Sequence, residues 1–175
     1  MSTDPMDKDT LHLLNARQAR AGLVEARASA LGELWSAPHR MEFVGTVRGV
    51  EYINDSRATF LDAALQSLAS IEKPVLWITG ELPEGLREGG VLDLLRDRVR
   101  ALILCTPGVD DVPDGLREAL GQAFLAGDVR TAVFLAHELA ASGDVVLFSP
   151  ACPSGGGFAN YEERGHAFKR TVREL

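Results

Sequence analysis

The amino-acid sequence predicts an α/β protein with a Rossmann-like, mostly parallel sheet flanked by helices. Short apolar runs alternate with amphipathic helical segments along most of the chain, a pattern typical of parallel strands whose connecting helices cover both faces of the sheet. A stretch of alternating apolar and polar residues precedes this region and predicts a β-hairpin at one edge of the sheet. A segment rich in Ala, Leu, Arg and Glu comes before the hairpin and predicts a helical arm.

The arm and the hairpin come first along the chain. Residues 11–35 contain no proline, and their apolar side chains recur at spacings of three and four, which predicts one or two helices. Pro38 ends this segment. Residues 42–55 then alternate apolar and polar side chains around Arg48-Gly49, a turn signal, and therefore predict the hairpin.

The rest of the chain alternates between helices and strands. The helical patterns cover residues 59–71, 91–99 and 116–122. The apolar runs that predict strands cover residues 74–80, 101–106, 123–125 and 145–149. Asp128 is a suitable N-cap for a further helix, and a last helix ends the chain. We therefore expect a helical arm at residues 1–36 and an α/β domain at residues 37–175.

The composition excludes several classes of protein. With 46% hydrophobic and 25% charged residues, the 175-residue chain has the ordinary composition of a globular protein. Its 18 basic and 25 acidic residues give a net charge of -7, which disfavours binding to nucleic acid. No apolar run approaches the roughly 18 residues that a membrane-spanning helix needs, and the first ten residues lack the pattern of a signal peptide. We therefore expect a cytoplasmic protein without a membrane partner.

Several familiar chemical motifs are missing from the sequence. The four histidines and the two cysteines share no metal-ligand spacing, so we predict no metal site and no disulfide. We expect Cys105 and Cys152 to be buried as small hydrophobic side chains. Ser149 lies outside any GxSxG elbow, which argues against a hydrolase. No GxxxxGKS or GxxxxGKT motif occurs, so these residues contain no P-loop for a nucleoside triphosphate.

Three loops that follow predicted strands are the candidate sites, because ligands of open α/β sheets bind at the carboxyl ends of the strands. They cover residues 54–59, 79–81 and 149–154. The first places an acid, an arginine and two hydroxyls just before a helix, where free N–H groups favour anions. Alternatively, Ser56 or Asp55 caps that helix and no ligand binds. The third loop precedes three glycines and is either a close backbone approach to a ligand or a flexible turn.

Four short motifs stand out in these regions: Pro38-His39-Arg40, Asn54-Asp55-Ser56, Ser149-Pro150-Ala151-Cys152 and the stretch at 158–165. Together they resemble the C-terminal domain of the Mur ligases, and most closely that of the D-glutamate-adding branch. They occur in the family's order, and the resemblance runs from residue 38 to residue 175. It implies a relation to ATP-dependent amino-acid addition in peptidoglycan precursor synthesis, and a Rossmann-like fold that agrees with the sheet predicted above.

The resemblance also implies roles for individual residues. The nucleotide-binding positions are Arg40, Asn54 and Asp55, and the positions that bind the incoming amino acid are Arg57, Thr59, Ser154 and Tyr161. It assigns no catalytic residue and no metal ligand to these 175 residues.

The sequence departs from the family's pattern at three places. The branch usually has Lys where Arg57 stands and Asn where Phe60 stands, and it carries a further Lys in the loop after Thr79. Here that loop holds Glu81 and Glu84 instead. An acidic loop in place of a lysine repels a dicarboxylic amino acid, which argues against D-glutamate binding in the family's usual way.

Two hypotheses of function remain open. In the first, the chain is a stand-alone or truncated Mur ligase C-terminal domain, inactive without a partner that carries the P-loop and binds the UDP-linked precursor. ATP and Mg²⁺ are then bound only together with that partner, and this chain alone binds no cofactor. In the second, it is a non-catalytic binding or regulatory protein that kept the ligase fold. The apolar stripe of residues 11–35 further predicts that the arm either folds back on the sheet domain or pairs in a homodimer.

Overall fold

A computed structural model describes residues 37–81, 89–106, 112 and 114–175. Every element described below belongs to the structural unit Pro38–Leu175. The predicted helical arm at residues 1–36, with the homodimer predicted from it, lies outside the described residues.

The predicted hairpin is present at the start of this unit. Strand β1 (Glu42–Val47) pairs antiparallel with strand β2 (Val50–Asn54). Arg48 and Gly49 connect them with φ angles of +50° and +79°. Two consecutive residues with positive φ are typical of the tight turn that suits the twist of a hairpin. The hairpin prediction is therefore confirmed.

The described residues of this unit form four more strands and five helices. The strands are β3 (Val75–Thr79), β4 (Val99–Cys105), β5 (Ala123–Ala126) and β6 (Val145–Phe148). The helices are α1 (Leu61–Ala69), α2 (Gly89–Arg98), α3 (Asp114–Leu120), α4 (Val129–Leu139) and α5 (Tyr161–Val172). The strand order is β1-β2-β6-β3-β4-β5, and every pair except β1 with β2 is parallel. The predicted Rossmann-like sheet, with the hairpin at one edge, is confirmed.

Helices cover both faces of the sheet because its central strands are apolar on both sides. Trp77 points to a core that also contains Leu68 of α1 and Leu95 of α2. The next residue, Ile78, points to the opposite core, which contains Val133 of α4 and Phe168 of α5. No helix within the described ranges is long and apolar enough to cross a membrane.

The sheet topology brings the loops after β2, β3 and β6 together. Strand β6 lies between β2 and β3, whereas β4 continues the sheet on the other side of β3. Where the order of the strands reverses in this way, a crevice opens at the carboxyl ends of the strands. The N–H of Asp55 donates to the carbonyl of Phe148 at 2.8 Å, and the N–H of Ser149 donates to the carbonyl of Ile78 at 3.1 Å. The three loops therefore begin side by side.

The prediction that Ser56 or Asp55 caps helix α1 is wrong. The N-cap is Phe60, and it makes no side-chain hydrogen bond to the helix. Four residues separate Ser56 from the start of the helix at Leu61, so the side chains of Asp55 and Ser56 lie too far back along the chain to cap it. Both are buried and bonded elsewhere.

Candidate functional site

Asp55 directly follows strand β2, at the edge of the sheet where the carboxyl ends of the strands meet. It is completely buried. Its Oδ2 atom accepts hydrogen bonds from Ser67 Oγ at 2.6 Å and from Ser149 Oγ at 2.8 Å. Its Oδ1 atom accepts the N–H of Met41 at 3.1 Å. Burial raises the pKa of Asp55, although these hydrogen bonds and the charge of Arg40 act in the opposite direction. The carboxylate thus faces protein groups and connects the segment before β1, helix α1 and the loop after β6.

Arg40 is the cation beside this carboxylate. Its Nη1 atom lies 3.7 Å from Asp55 Oδ1, and its side chain is 24% exposed. The residues on either side, His39 and Met41, have φ angles of +65° and +45°. Such strained conformations persist where the surrounding structure enforces them, and they are common at functional sites. The backbone therefore holds Arg40 beside Asp55, and the nucleotide-binding roles of both remain predictions.

Asn54, the third predicted nucleotide-binding residue, belongs to a different cluster. Its Nδ2 atom donates to His39 Nδ1 at 2.9 Å and to Glu42 Oε2 at 2.9 Å. Its Oδ1 atom accepts the N–H of Ser56 at 3.2 Å. The side-chain amide of Asn54 is therefore occupied by protein groups, and the structure does not bring it to the guanidinium of Arg40.

Helix α5 docks onto this second cluster. Lys169 Nζ donates to Glu42 Oε1 at 2.9 Å, and a Cβ atom at Gly165 would overlap the ring of His39. Burial alone would raise the pKa of Glu42, but the bonds from Lys169, the His39 N–H and Asn54 hold it below its usual value. Burial lowers the pKa of His39, and the charge of Lys169 lowers it further. Since Asn54 donates to Nδ1, the ring is a neutral acceptor at that atom.

Two of the predicted substrate-binding residues, Arg57 and Tyr161, are in contact with each other at the same edge. Arg57 is exposed, and its guanidinium carbon lies 5.8 Å from the centre of the Tyr161 ring. No carboxylate oxygen of the described residues lies within 4.0 Å of this guanidinium. Ser56 Oγ donates to the carbonyl of Tyr161 at 2.6 Å, which connects the loop to helix α5. The structure therefore brings Arg57 and Tyr161 together.

Hydrogen bonds to neighbouring segments fix the loop at residues 149–154, so it is not a flexible turn. The carbonyl of Pro150 accepts Thr79 Oγ1 at 3.0 Å and the N–H of Gly80 at 2.8 Å. The N–H of Ala151 donates to the carbonyl of Ala58 at 3.0 Å. These bonds favour the rigid loop over the flexible turn. They also place half-buried Thr59, which follows Ala58, beside the loop that carries half-buried Ser154.

The residue that joins these loops, Arg164, was not predicted as a site residue. Its side chain is buried, and it donates to the carbonyl of Ser56 at 3.1 Å and to the carbonyl of Pro153 at 3.1 Å. The same guanidinium donates to the carbonyl of Cys152 at 3.2 Å. A single side chain on helix α5 thus connects the loop after β2 with the loop after β6.

A cavity of about 110 Å³ opens beside Arg164 at the ends of β3 and β4. Its lining includes Gly80, Cys105, Asp128, Cys152 and Phe158. Cys105 and Cys152, which we expected to be buried as small hydrophobic side chains, are instead half-buried, and both line this cavity. Burial, together with the charge of Asp128, raises the pKa of Cys105 to about 12. The described residues contain no group of three His, Cys, Asp or Glu side chains that could hold a metal ion.

Comparison with known proteins identifies the family. The profile described as "Mur ligase, glutamate ligase domain" matches residues 39–152. The chain belongs to the Mur ligase C-terminal domain family. Those residues include Arg40, the buried Asp55 and the loop up to Cys152. The resemblance drawn from the four short motifs is therefore confirmed.

Two relatives show how much of a ligase these residues represent. The chain is 33% identical over 162 residues to UDP-N-acetylmuramoylalanine--D-glutamate ligase of Cytophaga hutchinsonii, covering 93% of this chain and 36% of that protein. It is 40% identical over 150 residues to the ligase of the same name of Geotalea uraniireducens, covering 84% of this chain and 32% of that protein. The chain thus spans about a third of the length of these relatives.

The chain is also similar to a solved structure of a domain from a protein named as a UDP-N-acetylmuramate:L-alanyl-gamma-D-glutamyl-medo-diaminopimelate ligase of Haemophilus ducreyi. The TM-score is 0.45 at 18% identity, and the match covers 78% of this chain and 96% of that domain.

A signal for Arg164 is present in the sequence. It stands three residues after Tyr161, and residues three apart lie on the same face of a helix. A helix that presents Tyr161 to the site therefore presents Arg164 to the same region. No comparable local signal points to Ser67 or Lys169, because their partners Asp55 and Glu42 are 12 and 127 residues away along the chain.

Proposed function

We propose that this chain supplies the amino-acid-binding domain of a D-glutamate-adding Mur ligase and works with a partner that carries the P-loop and binds the UDP-linked precursor. The observation that carries the proposal is the convergence of two loops and one helix at the carboxyl ends of β2, β3 and β6. Direct hydrogen bonds join the two loops to the helix, and these three elements hold Arg57, Ser154 and Tyr161. The family membership and the two D-glutamate ligase relatives support the substrate class.

The exposed guanidinium of Arg57 is the group that suits the carboxylate of an incoming amino acid. It stands where the family usually has a lysine, and a planar guanidinium binds a carboxylate through two parallel hydrogen bonds. Since no carboxylate of the described residues lies within 4.0 Å of it, Arg57 is not committed to an ion pair there. Thr59 supplies a hydroxyl on the same loop, and Ser154 supplies one on the adjoining loop.

ATP would meet this domain at Arg40. The half-buried guanidinium, held beside Asp55, is suited to a phosphate of a nucleotide bound mainly by the partner. Asp55 already accepts two hydroxyl bonds and one N–H bond, so its role toward the nucleotide would be to hold Arg40 in place. Mg²⁺ would be held by the partner and the phosphates, since no metal-binding cluster occurs in the described part of this chain.

The test is reconstitution of the ligase reaction. The full chain is mixed with the Geotalea uraniireducens relative lacking its C-terminal third, together with ATP, Mg²⁺, the UDP-linked precursor and D-glutamate. We expect phosphate release and amide formation only when both proteins are present. Arg57→Ala should raise the KM for D-glutamate about tenfold or more, because it removes a charge-assisted hydrogen bond. Arg48→Ala, an exposed arginine in the hairpin turn, is the matched control.

Two results would contradict the proposal. The first is a reconstituted pair that releases no phosphate with any acidic or neutral amino acid, although the chain melts cooperatively. The second is equal loss of activity in Arg57→Ala and Arg48→Ala. In either case the non-catalytic binding function would be favoured over the ligase function.

A further inference from the structure

Arg164 is a buried cation that forms no ion pair with the carboxylates of the described residues. Its side chain is 5% exposed, and no carboxylate oxygen of the described residues lies within 4.0 Å of it. All of its acceptors are neutral groups of two loops. Nε donates to Ser56 Oγ at 3.4 Å, and Nη2 donates to the carbonyls of Ser56 at 3.1 Å and Cys152 at 3.2 Å. Nη1 donates to the carbonyl of Pro153 at 3.1 Å and contacts Cys152 Sγ at 3.7 Å.

The groups that accept hydrogen bonds from Arg164 lie next to the residues proposed to bind the amino acid. Ser56 immediately precedes Arg57, and Pro153 immediately precedes Ser154. Tyr161 lies one helical turn before Arg164, and its carbonyl accepts Ser56 Oγ at 2.6 Å. A single guanidinium is therefore bonded next to two of the proposed amino-acid-binding residues and shares a helix with the third.

The stability of the fold does not by itself explain an arginine at position 164. Burying a guanidinium carries a desolvation cost, and burial lowers the pKa of Arg164 as expected of a cation removed from water. An apolar side chain of similar volume would often fill such a place without that cost. What an apolar side chain cannot do is donate, in fixed directions, to carbonyls on two separate loops.

We infer that Arg164 is a positioning residue that fixes the spacing of Arg57, Ser154 and Tyr161 for the incoming amino acid. This inference rests on the function proposed above. Arg164 acts through the two loops and touches no substrate itself, because its N–H groups are already taken by protein acceptors. Lysine cannot replace it, since a single ammonium on a flexible stem cannot reach the carbonyls of Ser56 and Pro153 together.

The first experiment measures amide hydrogen exchange in the full chain. We compare Arg164→Lys with Arg98→Lys, a matched control in which the arginine also donates to a backbone carbonyl, that of Ile71 at 3.1 Å, but just before the start of β4. In Arg164→Lys, exchange should rise about tenfold in peptides covering residues 55–58 and 149–154, the factor expected from the loss of about one hydrogen bond. Exchange in β3 and β6 should stay within about twofold. Arg98→Lys should leave both loops unchanged.

The second experiment uses the reconstituted reaction. Arg164→Lys should raise the KM for D-glutamate about tenfold, again the loss of about one hydrogen bond, and leave the KM for ATP within about twofold. If the wild-type pair shows no activity, the proposed function fails, and the exchange experiment alone still decides whether Arg164 orders the loops.

Two outcomes would overturn the inference. One is unchanged exchange in both loops of Arg164→Lys. The other is a uniform rise across loops and strands, which would show that Arg164 only adds global stability. If Arg164→Lys does not fold, Ser56→Ala takes its place: it removes one acceptor of Nε and the bond to Tyr161, and its faster exchange should be confined to the same two loops.

Discussion

At the scale of single residues, buried polar side chains connect the loops at this edge of the sheet, whereas exposed side chains face the solvent. Asp55 and Arg164 are both buried, and each bonds to two or more elements. Arg57, by contrast, is exposed, and its guanidinium lies over the face of the Tyr161 ring. A buried polar group that loses its partner costs more than the bond itself is worth. Substitution of Asp55 should therefore affect the stability of the fold, substitution of Arg164 the order of the two loops that it joins, and substitution of Arg57 the binding of a ligand.

Replacing Asp55 tests this division through pH. Because its pKa is raised in the folded chain, the stabilisation linked to its protonated form is present below about pH 4 and is lost as pH rises through the folded pKa. Asn does not titrate. Asp55→Asn should therefore lower the free energy of unfolding by about 1–3 kcal/mol at pH 4, and by less at pH 7. Urea unfolding at pH 4, 5.5 and 7 measures this difference.

The matched control is Asp62→Asn, an exposed aspartate in the first turn of α1. Its effect should stay within about 0.5 kcal/mol at each pH, as is usual for a surface position. A penalty for Asp55→Asn that grows with pH would contradict the expectation. It would mean that Arg40 and the two serine hydroxyls outweigh the cost of burying the charge.

At the scale of elements, the helices begin in two different ways. Helix α4 starts at Asp128, whose carboxylate accepts the N–H of Thr131 at 2.9 Å, and helix α5 starts at Asn160, which accepts the N–H of Glu163 at 2.8 Å. Helix α1 starts at Phe60, which has no side-chain acceptor and is 60% exposed. Helix α1, which follows the loop that holds Arg57, therefore lacks the side-chain cap that helices α4 and α5 have.

Phe60→Asn should stabilise the chain. The backbone at Phe60 is extended, with φ -151° and ψ 160°, which is the conformation of an N-cap residue. An asparagine there can accept a free N–H of the first turn and should raise the free energy of unfolding by about 0.5–1 kcal/mol in urea titrations. Asp128→Ala, which removes an existing cap, should lower it by about 1 kcal/mol. A loss of stability in Phe60→Asn would instead show that the Phe60 ring packs against the protein.

At the scale of the whole molecule, the described unit places the candidate site residues along one edge of the sheet. Strand order alone brings the loops after β2, β3 and β6 to that edge. The 175 residues contain no P-loop motif, and they span about a third of the D-glutamate ligase relatives. Under the proposed function, this edge would form one half of a site shared with the partner.

The chain by itself should not hydrolyse ATP. Catalysis of phosphoryl transfer depends on a phosphate cradle and on bound Mg²⁺, and neither has a candidate in the described residues or the sequence motifs. Phosphate release by the purified chain with ATP and Mg²⁺ should match the buffer background. ATP turnover above background that disappears in Arg40→Ala would contradict this expectation and would place a nucleotide site within the chain.

The sequence by itself determined the fold class, the family and the edge on which the candidate site lies. Apolar runs separated by amphipathic helices specify a parallel sheet, and Arg48-Gly49 specifies the hairpin turn, because both signals are local. The motifs around Arg40, Asp55 and Ser149 then located the loops.

Only the tertiary structure decided what each side chain does there. Asp55 meets Ser149 across 94 residues, and Arg164 meets Ser56 across 108. Such bonds depend on strand order and helix packing, which no local pattern encodes. For the same reason, no local pattern showed that Asp55 and Ser56 are buried instead of capping a helix, or that Cys105 and Cys152 line a cavity. Nor did any local pattern show that Arg164 holds the two loops together.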